Sequence, residues 1–248
     1  MVMRALSSAI GEAMRLGKVA QNVAAGVRIK RPKRDRAHAN IPTKAELRAI
    51  LKEANPSEKC LVMVTIFTGL RGSELRGLRW ADVDLVDARV TVSQRADRYN
   101  AIALPKSAAS QRSIPIPPTL VLELKRWKLA CPMGELDLVF PNGTGKVETH
   151  SNMLQRLLGP LQVRAGVTEP DGTLDEDGIE NVTWRYGFHA FRHSAASLWI
   201  EKHTNPKRVQ TWLGHASIQL TFDTYGHLFE AAEADAAVAT AIEAELFG

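Results

Sequence analysis

The stretch LGHASIQLTFDTYGH, residues 213–227, decides how the rest of the chain is read. Gly214 stands where a helix C-cap belongs, and His215 comes ten residues ahead of Tyr225 in a chain with three tyrosines. One account is packing: a histidine cation settles well against a helix C-terminus, and an aromatic at helical spacing belongs to a core. The other account is chemistry, with the phenol as a reacting group. This stretch alone favours packing, and the decision rests on what other segments bring to it.

Two segments matter most. TGLRGSELRGL (68–78) puts Arg71 just after a helix that Gly69 is suited to end. There its planar fork of donors is free to reach a ligand. Glu74 follows one turn later and reads as a brace for Arg71. FHAFRHS (188–194) puts His189 and Arg192 at i and i+3, on one helix face. Each has a plain reading: a solvated arginine, or a His189/His193 pair with metal-ligand spacing. Ala190 stands where an HExxH site has its glutamate and no acidic third ligand is near, so no metal is expected.

The surrounding chain reads as mainly helical with a small antiparallel sheet, an α+β class. TKAE (43–46) has the form of a capping box. Asn55-Pro56 and Asn205-Pro206 each place a cap before a first-turn proline. The run CLVMVTIF belongs to a helix buried on most sides. ARVTV (88–92), AIALP (101–105) and RSIPIP (112–117) read as strands of one small sheet. Helices are expected near 118–130, 149–164, 188–203, 206–214, 217–224 and 229–247. TEPDGTLDEDGIE (168–180) holds six acidic and no basic residues, so it is expected to be a mobile surface loop turned away from any polyanion.

The chain has 248 residues, 45% of them hydrophobic, which suffices for one well-buried domain. It has no apolar run of membrane-spanning length and no signal core, so a cytoplasmic location is expected. Cys60 and Cys131 form no CxxC pair and read as reduced. The net charge of +5 is unevenly spread: residues 27–40 carry +5 and residues 226–248 carry −5. VRIKRPKRDRAHAN (27–40), with Arg28, Lys30, Arg31, Lys33 and Arg34, suits an extended linker along phosphates. A solvated linker without a ligand remains the alternative.

Taken together, TGLRGSEL, HAFRHS and LGHASIQLTFDTYGH resemble the three ordered boxes of the tyrosine recombinases, the phage-integrase family, over about residues 41–230. LPKSAASQRSIPI places Lys106 where that family has a hairpin lysine, with Arg112 opening the next strand as a further DNA contact. Phe191 departs from the leucine usual in the second box, a change in packing. The resemblance implies the integrase catalytic fold, double-stranded DNA as partner, a 3′-phosphotyrosyl intermediate and no cofactor. Tyr225 would attack, Arg71 and Arg192 clamp the phosphate, Lys106 protonate the leaving 5′-oxygen, His189 serve as acid/base and His215 hydrogen-bond the phosphate. The residue types suit this independently, since guanidiniums bind non-bridging oxygens bidentately and stay charged. Tyr99 and Tyr186 have no such box ahead of them and read as structural.

Domain boundaries are expected at 1–26, the last helix of a core-binding domain; 27–40, the linker; 41–227, the catalytic domain; and 228–248, an alanine-rich acidic helical tail. On that reading the chain is a truncated form or a short protein. Its DNA binding is then weak and salt-sensitive, and the four-protomer assembly of the family belongs to a longer form. The tail docks in cis or on a neighbouring protomer. Two other functions stay open: a non-catalytic DNA-binding relative and a type IB topoisomerase-like enzyme. The intact residue set argues against the first, and the fit of the boxes against the second.

Overall fold

The computed structural model describes residues 2–27, 40–105 and 110–229. The chain divides into two units, Met1–His38 and Ala39–Gly248. In the first, α1 (Val2–Arg15) is amphipathic. It ends at Gly17, whose positive φ of 66° lets Lys18 N–H bond back to Ala13. Asn22 ties the following turn to α1 through the Ser7 carbonyl at 2.8 Å. Leu6, Met14 and Leu16 of this unit remain exposed.

The second unit starts with helices whose ends follow local rules. Thr43 and Glu46 close a capping box at the start of α2 (Lys44–Glu53), and Asn55 and Glu58 close another at α3 (Pro56–Thr68). Pro56 takes the first turn of α3, where its missing N–H costs nothing. The apolar run fills the middle of α3, which packs on α5 (Pro118–Ala130) and α8 (Phe188–Glu201). Leu61, Val64, Leu70, Leu75, Ile114, Leu120 and Phe191 form the centre of the main core. A smaller core, Ala196, Ile200, Val209, Leu213 and Tyr225, lies where α8, α9 (Pro206–Leu213) and α10 (Ile218–Phe229) meet.

The β segments depart from expectation in arrangement. A three-stranded antiparallel sheet has the order β1 (Val83–Asp84), β2 (Arg89–Val92), β5 (Arg112–Pro115), with Val90 opposite Ile114. The segment at 101–105 is not part of it. Its β4 (Ile102–Ala103) pairs instead with β3 (Arg95–Ala96) as a separate ribbon. The Asp97 side chain organises that turn by accepting the N–H groups of Tyr99 and Ala101, and Asn100 takes a positive φ of 65°.

Helical expectations hold with two changes. The predicted 149–164 helix runs as α6 (His150–Asn152), a π-helical stretch Met153–Leu158, and α7 (Gly159–Arg164). Pro160 donates no N–H and crowds the carbonyl one turn back, which explains the widened turn before it. Gly159 accommodates it: a Cβ there would lie 2.6 Å from Trp184 Cε3. The second change concerns α10, expected over 217–224, which continues through Tyr225 and Gly226 to Phe229. The tail beyond Phe229 lies outside the described residues.

The predicted acidic loop is a β-hairpin, β6 (Thr168–Leu174) with β7 (Glu180–Trp184). Asp175 closes its turn by accepting N–H bonds from Asp177 and Ile179, and Gly178 supplies a φ of 79°. It is surface structure as expected, but ordered by backbone pairing that the six carboxylates do not prevent. Among the described residues, no helix is long and apolar enough to cross a membrane.

Candidate active site

Four separated segments deliver their side chains to one cleft of about 250 Å³, lined by Arg71, His189, Arg192, His193, His215, Leu220, Thr224 and Tyr225. The two arginines are held by helix ends. Arg192, 2% exposed, donates from Nη1 to the carbonyl of Gly69 and from Nη2 to that of Leu213, each at 2.5 Å. These belong to the C-terminal turns of α3 and α9, where carbonyls lack helical partners and the dipole favours a cation. Both helices finish on left-handed glycines, Gly69 at φ 58° and Gly214 at φ 63°. Arg71 leads into α4 (Gly72–Arg76) and donates from Nη2 to the Gly214 carbonyl at 2.9 Å. Burial, then the nearby Arg71 charge, pushes Arg192 down to about 9, which leaves it a cation at neutral pH.

Glu74 braces Arg71 and ties it to Arg112. Its carboxylate accepts the Arg71 backbone N–H at 2.9 Å and Arg71 Nη1 at 2.8 Å. Arg112 adds Nη1 at 3.1 Å and Nη2 at 2.8 Å. Burial works against the charged form, but the Arg112 hydrogen bonds and charge outweigh it and hold the carboxyl below its ordinary range. Arg112 therefore does not face solvent as a DNA contact. Its side chain is 1% exposed, and its remaining donors reach the Trp212 and Ser110 carbonyls. Strand parity explains this: Arg112 and Ile114 share the inward face of β5.

His215 is buried, and its Nδ1 lies 3.0 Å from Thr221 Oγ1. Gln210 Nε2 donates to the His215 carbonyl, fixing the turn between α9 and α10. Burial first, and the Arg192 and Arg71 charges next, push the imidazole down to about 4, so it is neutral near pH 7.

Tyr225 is at once a packed aromatic and a residue of the cleft lining. Its ring packs in the smaller core, 4% exposed, while its hydroxyl reaches the cleft. Burial pushes the phenol up to about 12, against the lowering influence of Arg192. The hydroxyl's partner is His193, whose Nδ1 lies 2.6 Å away. His189, the acid/base residue of the sequence reading, makes no hydrogen bond to the tyrosine; it is exposed, and its ring meets that of His193 edge-on at 4.5 Å. His193, Thr221 and Gln210 were not singled out from sequence for these contacts. The available signal was the i, i+4 spacing of His189 and His193, which puts both on the face of α8 that α10 covers.

Tyr186 is buried, with its hydroxyl on Glu46, and Tyr99 is exposed beside Arg98. Both lie apart from the cleft lining, in keeping with structural roles. Lys106, Arg28, Lys30, Arg31, Lys33 and Arg34 lie outside the described residues. Among the described residues, no group of three or more His, Cys, Asp or Glu side chains is placed to hold a metal.

Comparison with known proteins identifies the family and the fold. Residues 41–232 match the phage integrase family. A tyrosine recombinase XerC-like protein of Caldanaerobacter subterraneus subsp. tengcongensis is 29% identical over 194 residues, covering 68% of this chain and 45% of that protein. The ICEBs1 integrase of Bacillus subtilis is 26% identical over 176 residues, 69% and 45% of the two chains. This chain thus spans about half the length of these relatives. Among solved structures, the Tn1549 transposon integrase in complex with transposon right end DNA superposes with a TM-score of 0.68 at 20% identity, over 98% of this chain and 78% of that one. A lambda integrase dimer bound to a core site gives 0.60 at 18% identity, over 91% and 59%. These likenesses show the fold.

Proposed function

The chain belongs to the phage integrase family, and on that premise we propose that it cleaves and rejoins double-stranded DNA through a 3′-phosphotyrosyl link at Tyr225. The observation that carries the reading is the meeting of Arg71, Arg192, His189, His215 and Tyr225, from distant parts of the sequence, on one cleft. Two guanidiniums already aimed by backbone carbonyls pay little reorganisation when a phosphodiester enters, and they oppose the charge that grows on its non-bridging oxygens. We assign Thr221 Oγ1, 3.0 Å from Nδ1, as the donor of that contact, which leaves neutral His215 its Nε2 proton for a phosphate oxygen.

Tyr225 Oη attacks phosphorus, the P–O5′ bond breaks, and Lys106 supplies the proton that the 5′-oxygen takes. His189, at the exposed rim, is the acid/base residue that exchanges protons with solvent. The covalent link conserves the bond energy, so rejoining is the reverse step and needs no cofactor. Integrases and recombinases of similar sequence are longer than this chain, and pairing of two duplexes by four protomers is proposed as the assembly on DNA. The basic linker, Arg28 to Arg34, is assigned to phosphate contacts.

The test uses nicked duplexes with a randomised centre, in which cleavage releases a short strand and traps the adduct. Wild type is expected to form a covalent complex that survives denaturing electrophoresis, and sequencing the trapped DNA gives the target. Tyr225→Phe loses one hydroxyl and is expected to bind DNA as wild type does without any adduct. An adduct that persists in Tyr225→Phe refutes the assignment.

A further inference from the structure

We infer that His193, which lies outside the residue set assigned above, is the group that holds the Tyr225 hydroxyl in the cleft and takes its proton when the tyrosine attacks. The inference rests on the reading of Tyr225 as nucleophile. Its own ground is geometric: the 2.6 Å approach of His193 Nδ1 to Tyr225 Oη is the hydroxyl's hydrogen bond among the described residues. The two rings meet at 61° with centroids 5.5 Å apart, so the contact is made edge-on and not through stacking. His193 is carried by the same turn of α8 as Arg192, which is itself locked to two carbonyls. The imidazole therefore has little freedom to leave the tyrosine.

The protonation states agree with the direction of the bond. The groups facing His193 are His189 and Arg192 from α8, His215 from the turn after α9, and Tyr225 from α10. Burial, then His189 and Arg192, pushes His193 down to about 4. At neutral pH a neutral imidazole accordingly faces an intact phenol. The inferred transfer requires the phenol as donor, Nδ1 as acceptor and the imidazole proton on Nε2.

In the free protein such an imidazole is a weak base, so the tyrosine attacks electrophiles only slowly. A phosphodiester bound at Arg192 and Arg71 brings negative charge beside His193 and makes the imidazolium easier to form. The step balances. The Oη–H bond breaks and its proton passes to Nδ1; the Oη–P bond forms; the P–O5′ bond breaks and the 5′-oxygen is protonated by the acid assigned above. On rejoining, the imidazolium returns the proton to Oη.

Two measurements that use no DNA test this apart from the cleavage reading. Long-range ¹H–¹⁵N spectra of the whole chain at pH 7 should show His193 as the Nε2–H tautomer, with an Nδ1 resonance that shifts in Tyr225→Phe. A protonated Nδ1, or an Nδ1 indifferent to Tyr225→Phe, overturns the inference. Second, phenylmethylsulfonyl fluoride offers the phenol an electrophile whose capture also requires loss of the phenol proton, and peptide mass spectrometry reads the site. Sulfonylation at Tyr225 should fall about 10-fold or more in His193→Asn, which keeps an acceptor near the Nδ1 position but cannot take a proton. His203→Asn, remote from the cleft lining, should label like wild type. Labelling of His193→Asn at the wild-type rate, no labelling of Tyr225 in wild type, or a larger loss in His189→Asn than in His193→Asn each refutes the assignment. A chain that passes both measurements yet forms no DNA adduct would refute the cleavage reading alone.

Discussion

Replacing Glu74 by glutamine isolates the buried charge beneath the two arginines. Glu74 is 4% exposed and takes four N–H donors, two from Arg71 and two from Arg112. Glutamine preserves the shape but offers one acceptor oxygen and one NH₂. Whichever way the amide turns, its nitrogen meets a guanidinium donor, and the 1%-exposed Arg112 side chain loses its counter-charge. Breaking one half of a buried ion pair costs about 3–5 kcal/mol. For a domain of this size each kcal/mol moves Tm by about 2–4 °C, so the midpoint should fall by roughly 6–20 °C. Urea and thermal unfolding followed by circular dichroism measure this. The double variant Glu74→Gln with Arg112→Met removes both charges and refills the space, and should recover most of the loss. A loss below about 1 kcal/mol, the range of exposed pairs, would refute the argument. So would a double variant whose loss equals the sum of the two single losses.

Stability should also fall in acid before the carboxylates titrate. His193 and His215 ordinarily titrate at 6.5 and are pushed down to about 4 in the fold, so below pH 6.5 the unfolded chain takes up protons that the folded chain declines. Their contribution is complete above pH 6.5 and drains as pH drops toward about 4, at a slope of at most about 2.7 kcal/mol per pH unit for two protons. A urea midpoint unchanged between pH 7.5 and 5 would contradict this. Gly159→Ala forces a Cβ to within 2.6 Å of Trp184 and 2.9 Å of the Leu154 carbonyl, and should cost about 1–3 kcal/mol. An unaltered thermal midpoint would show that the π-helical turn yields freely.

What the sequence made legible was governed by local rules. Thr43, Asn55 and Asn205 announce helix starts because a cap needs only its own first turn, and Gly69 announces an end because left-handed backbone suits glycine. Arg71, Arg192, His215 and Tyr225 were legible as a set through their order along the chain. Contacts across the fold were not. Arg112 reads as a surface cation until the pairing of Val92 with Arg112 and Val90 with Ile114 shows which face of β5 turns inward. His193 is marked in sequence only by its i, i+4 spacing from His189, and its partner is hidden until α10 brings Tyr225 against it, 32 residues away. The 168–184 hairpin was hidden because carboxylate composition masked the β-branched residues Val182 and Thr183, and the ladder costs the carboxylates nothing while they point into water.

The carbonyls that aim the arginines also set a timetable. Arg71 leaves the ribosome early, but Gly214, the residue that turns its guanidinium into the cleft, follows 143 positions later. Arg192 is likewise idle until Leu213 arrives, 21 residues behind it. A half-made or locally unfolded chain therefore carries the cationic side chains without the carbonyls that aim them. On the proposed function, competence for strand cleavage arrives with the closing helices and departs as soon as they detach, so the backbone itself serves as the safety catch.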